Sequence, residues 1–113
     1  MFPEEKFSIN DFKKDIVYED SHRGYDFFVK DFPSHYCAYV RIPEGHPYHK
    51  IHYKDEKMNI SVHGKLSFSE MLEDEYWIGW DYGHGGDEKR NFELIDIIKD
   101  CSSVIMQLFL VQK

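Results

Sequence analysis

Four side chains within residues 58–87, MNISVHGKLSFSEMLEDEYWIGWDYGHGGD, are of types that bind metal ions: His63, Asp81, His84 and Asp87. Imidazole and carboxylate are good zinc donors at neutral pH. A hairpin would bring them together. If LSFS and YWIG pair as antiparallel strands with Ser69 opposite Tyr76, the register sets Gly64 opposite Asp81 and His63 opposite Tyr82, beside the loop DYGHGGD. His46, in the loop PEGHPYHKIHYKDE, supplies a fourth donor. The expected site is therefore one zinc ion held by His46, His63, Asp81 and His84, with Asp87 or Cys37 as the replacement ligand. Neither C-x-x-C nor H-E-x-x-H spacing occurs, and Gly-His-Gly-Gly-Asp also reads as a plain turn.

The 113 residues suit one domain, which would bury roughly two thirds of the surface its unfolded form exposes. Nine Phe, eight Tyr and two Trp give a globular composition with aromatic side chains to spare for a binding face. A net charge of -7 argues against direct nucleic-acid binding, which needs clustered Lys and Arg. It favours a basic protein surface as partner. Cys37 and Cys101 lie far apart with no secretory signal before them in MFPEEKFSIND, and read as free thiols of a cytoplasmic protein. No apolar run is long enough to span a membrane.

The elements that must position these residues follow from periodicity. SINDFKKDIVYED offers a helix start at Ser8 or Asn10. HYCAYVRI reads as a strand ended by Pro43, MNISVHGKLSFS as a second with a bulge at Gly64, and YWIGWD as a third. In NFELIDIIKDCSSVIMQLFLVQK, Phe92, Ile95, Ile98, Cys101, Ile105 and Leu108 recur at helical spacing behind an Asn91 cap. The expected fold class is α+β: a small antiparallel sheet covered on one face by a long C-terminal helix, with metal-stabilised loops.

Taken in order, CAYVRIPEGHP, VHGKLSF, WIGWDYGHGGD and IDIIKDCSSVIMQL resemble a family of small phage and prophage proteins. The resemblance covers residues 37–108 of the single domain 1–113 and leaves 1–36 as a variable N-terminal part. Lys65 follows His63-Gly64 where the family pattern leads one to expect a second glycine. Phage proteins of this size are often counter-defence factors, and the chain is similar in size and acidity to zinc-containing anti-CRISPR proteins acting on type II effector nucleases.

Two function classes follow. The resemblance implies an inhibitor with a structural zinc ion that binds a CRISPR effector nuclease in the host cytoplasm, using the acidic run Glu70, Glu73, Asp74 and Glu75 as contact surface. The alternative is a metal-dependent hydrolase, or a sequestering protein, acting on a nucleotide signal. In the hydrolase, His63, His84 and Asp81 would hold the metal with a water in the open position, and Glu44 or Asp87 would serve as general base. Few Arg residues are at hand to clamp an anion, and Arg41 is the basic residue nearest the site in sequence.

Overall fold

Three hairpin connections build the sheet. The computed structural model describes residues 9–32, 35–83 and 93–112, with backbone alone for Phe32. They form α1 (Ile9–Phe12), β1 (Ile16–His22), β2 (Tyr25–Phe32), β3 (His35–Ile42), β4 (Phe68–Leu72), β5 (Glu75–Asp81) and α2 (Leu94–Val111). The five strands run antiparallel in the order β1-β2-β3-β5-β4. With α2 against one face, this is the expected α+β fold, and β3 and β5 lie where the sequence places them. The β1–β2 hairpin was not expected. It closes through Arg23 at φ 52° and Gly24 at φ 86°, the two left-handed residues that a tight hairpin turn requires.

The β4–β5 hairpin differs from expectation in register. Its turn is only Glu73 and Asp74, at φ 49° and 71°, so Leu72 faces Glu75 and Ser69 faces Ile78 rather than Tyr76. A hairpin's register is set by its turn, and the tighter turn moves every pair by two residues. The shift is even, so each side chain keeps its face. Residues 58–67, expected as strand, belong instead to a long irregular segment that starts at Pro43.

Because side chains alternate along a strand, the sheet has two apolar faces. Toward α2 it presents Phe27 and Val29 of β2, Ala38, Val40 and Ile42 of β3, and Ile78 and Trp80 of β5. The helix answers with Ile97, Cys101, Val104, Ile105 and Leu108, all 0% exposed. This corrects the expected stripe at its first turn, where Ile95 is 52% exposed and Ile97 is buried in its place. The physical reason is that Leu94, Ile95, Ile97 and Ile98 are all apolar, so periodicity alone cannot phase that turn. The observed N-cap is Glu93, whose backbone N–H donates to the Asp96 carboxylate at 3.0 Å. Asn91 and Phe92 lie outside the described residues.

The face away from α2 buries Phe28, Cys37, Tyr39, Leu72 and Trp77 beneath Phe12 of α1. The Phe12 ring centroid lies 4.8 to 5.5 Å from those of Phe28, Tyr39, Phe68 and Trp77. Gly79 makes room for this cluster. A Cβ there would come within 2.5 Å of the Tyr39 ring. Both cysteines are buried and free, as expected.

Ile97→Ala should destabilise the protein by about 2 to 5 kcal/mol, against about 0.5 kcal/mol or less for Ile95→Ala, as read from urea unfolding midpoints. Alkaline pH should also weaken the fold. Burial pushes the Cys37 thiol from 9.0 up to about 11, and burial likewise raises Cys101, Tyr39 and Tyr82. For groups whose folded values are raised, the unfolded chain loses its protons first. Stability is then complete below the ordinary thiol value and falls as pH climbs past it. The unfolding midpoint should drop between about pH 9 and pH 11, and a flat profile would contradict this burial.

Candidate functional site

His63 and Tyr82 do meet, as the sequence reading expects, but through a loop rather than a strand pair. The turn Val62–Lys65 is closed by the Lys65 N–H donating to the Val62 carbonyl at 2.9 Å, with Gly64 at φ 67°. It lays the His63 ring flat on Tyr82, with centroids 4.8 Å apart and planes 10° from parallel. Tyr82 is itself fixed from several sides. Its N–H donates to the Tyr36 carbonyl at 2.9 Å, its hydroxyl donates to the Asp100 carboxylate of α2, and the Trp80 indole N–H donates to that hydroxyl at 3.0 Å. Burial, and then the bond to Asp100, hold the phenol protonated far above neutrality.

Asp81 lies at the same corner, at the end of β5. One carboxylate oxygen accepts from the Ser67 hydroxyl at 3.2 Å and the other from the Gly83 N–H at 3.0 Å. His84 and Asp87 lie outside the described residues. Among the described residues, no three His, Cys, Asp or Glu side chains are grouped to hold a metal ion. Cys37 pairs with Asp81 in register, but its thiol is buried and neutral at physiological pH. Arg41 is on the face away from α2, where its guanidinium meets Asp26 at 3.1 Å. Glu44 is exposed in the loop beside His46.

His46 has a different job from the one expected. It is 6% exposed, and its Nδ1 accepts the Tyr48 N–H at 2.8 Å. The proton therefore sits on Nε2 and is donated to the Leu108 carbonyl, 2.8 Å away near the end of α2. With both ring nitrogens engaged, no lone pair remains for a metal. His49 also turns inward and donates from Nδ1 to the Ile42 carbonyl at 3.0 Å.

The loop spanning residues 43–67 is held by side chains that bond backbone, and nothing among the described residues supports the expected metal-stabilised loops. Gln107 of α2 takes both backbone groups of Ser61, accepting its N–H and donating to its carbonyl, each at 2.8 Å. The Tyr76 hydroxyl donates to the Ile51 carbonyl, and the Ser69 hydroxyl accepts the Tyr53 N–H at 3.1 Å. Met58 is buried, with Ile51, Ile60, Val62 and Leu66 packed on the core beside it. The Trp80–Tyr82–Asp100 chain escapes sequence reading because Asp100 comes from a distant helix. The two-residue spacing of Trp80 and Tyr82 does place them on one face.

Of the acidic residues expected to contact a partner, Glu70, Glu73 and Asp74 are exposed at the β4–β5 tip. Glu75 is half-buried, with Lys13 at 3.3 Å and the Trp77 indole N–H at 3.1 Å. Register aligns Asp26, Arg41, Trp77 and Glu70 across neighbouring strands on the face away from α2. Carboxylates thus flank an aromatic centre there. Glu19, Ser21 and Asp26 border a depression of about 340 Å³ beside Phe28 and Trp77.

His46→Phe should lower stability by about 1 to 3 kcal/mol, because it orphans the Tyr48 N–H and removes one of the two hydrogen bonds that the Leu108 carbonyl accepts, the other coming from the Gln112 N–H. Thermal unfolding with and without zinc checks this. A zinc-dependent gain in the parent protein that vanishes in His46→Phe would return the ring to the ligand set. No family model, curated protein or solved structure matches the chain, so its function is argued from its own geometry.

Proposed function

We propose that this protein acts by binding, without turnover, to a basic surface of a partner protein. The observation that carries this reading is how the sheet face away from α2 treats cations. Lys13 Nζ lies 5.3 Å from the Trp77 ring centroid and 3.3 Å from Glu75. Lys30 Nζ lies 5.6 Å from the Phe12 ring, and Arg41 rests on Asp26. The rings of Phe12 and Trp77 are buried and covered by these lysines, so what this side offers a partner's ammonium and guanidinium groups is its exposed carboxylates. The exposed Glu70, Glu73 and Asp74 beside them extend the negative field and would steer such a surface inward.

The partner class proposed is a nucleic-acid-handling protein of the host cytoplasm, with a CRISPR effector nuclease first in line. Such a nuclease keeps basic channels for its guide and target, and an acidic domain docked there would compete with the nucleic acid. In this reading Glu70, Glu73 and Asp74 act mainly on encounter, while Glu75, held by Lys13 and the buried Trp77, fixes the strand beneath them.

The test is stoichiometric addition of the purified protein to a guide-loaded type II effector nuclease, with target cleavage and complex formation followed together. One-to-one inhibition is expected, weakening as salt rises because surface charges are screened beyond about 8 Å at physiological ionic strength. The triple reversal Glu70→Lys, Glu73→Lys and Asp74→Lys should slow association by about tenfold or more with little change in stability. Full cleavage without complex formation, or depletion of a nucleotide by a catalytic amount of protein, would refute the reading.

A further inference from the structure

The loop spanning residues 43–67 is longer than most connections in a compact domain. Segments beyond about 12 to 15 residues without regular structure are most often functional or disordered. This one is tied down, by His46 to Leu108, by Gln107 to Ser61, and by Met58 in the core. Its outer side encloses a groove of about 770 Å³, within the range of small-molecule sites. Its lining is aliphatic at Met58, Ile60, Val62 and Leu66, with Tyr53 and Ser61 beside them and Lys54 and Lys65 as its cations. The floor residues pack on the α2-side core, so this surface is separate from the acidic face.

We propose that this groove binds a free straight-chain fatty carboxylate, its chain along the aliphatic floor and its carboxylate at Lys54 and Lys65. Charge complementarity selects the anion. On a chain of net charge -7, two lysines at the mouth of one apolar groove are a local reversal of sign. Lys65 also holds its place at a backbone cost. It stands at φ 72°, where glycine would be free of strain, yet the position carries a cationic side chain to the groove's edge. The aliphatic floor selects the body of the ligand. A nucleotide would look for a free stacking plane, and the one ring in the lining, Tyr53, is already stacked on His52.

The experiment is a titration with decanoate, below its micelle concentration, followed by amide chemical shifts of the full chain. Saturable changes confined to residues 53–66 are expected. Lys65→Gly should bind about fivefold more weakly while unfolding at a higher temperature, because relief of the left-handed strain cannot itself weaken the fold. Lys54→Glu with Lys65→Glu should abolish binding at the same concentrations. Equal binding of decyltrimethylammonium or AMP, or shifts centred elsewhere, would overturn the proposal. So would concentration-dependent shifts of residues 53–66 without ligand, which would make a second copy's acidic tip the occupant.

Discussion

A sheet that is apolar on both faces needs two covers, and the described residues hold one long helix. The central strands β3 and β5 feel this most, since both are flanked by other strands and buried on either side. On one face α2 supplies five fully buried side chains. On the other, α1, described over Ile9–Phe12, delivers one ring, Phe12, to the middle of four aromatic neighbours. Edge-to-face and stacked contacts let one ring engage all four. Gly79 then has no side chain because Tyr39 occupies its space, while Lys13 lies over the Trp77 ring and Lys30 over Phe12 itself.

Much of this architecture is readable in the chain. HYCAYVRI and YWIGWD carry unbroken apolar character because both of their faces are covered, and α2 carries an evident helical period. The β1–β2 hairpin is harder to read. On β1, Glu19, Asp20 and Ser21 stay exposed, which dilutes alternation, although Arg23-Gly24 between IVYEDSH and YDFFVKDF is a turn signal. The site was legible in part. His63 does meet Tyr82, but the Val62–Lys65 turn makes the contact, not the strand pair from which it was expected. The role of His46 could not be read, because a buried histidine serving a helix carbonyl and a metal-binding one look alike until the helix is placed.

The two surfaces argued to bind lie on opposite sides of the sheet and rest on different supports. The acidic face rests on the hydrophobic cover of Phe12, so its rings and carboxylates are coupled to the core. The groove rests on a loop whose carbonyls and amides are held by Gln107, Tyr76 and Ser69. Side-chain bonds to backbone hold irregular chain in place as a neighbouring strand would, while leaving its outer side open. A partner at one surface therefore need not disturb the other.

The turns share one further property. Asp15, Arg23, Lys50, Lys65, Glu73 and Asp74 are the described non-glycine residues in left-handed conformation, and each one is charged. Local strain and surface charge therefore fall on the same residues. Replacing these with glycine or asparagine would ease the backbone but erase much of the molecule's electrostatic relief, so thermostabilising the protein by the simplest route would blunt whatever it recognises. Stability and recognition compete at single positions here, and an engineered stable version would have to gain its margin in the core.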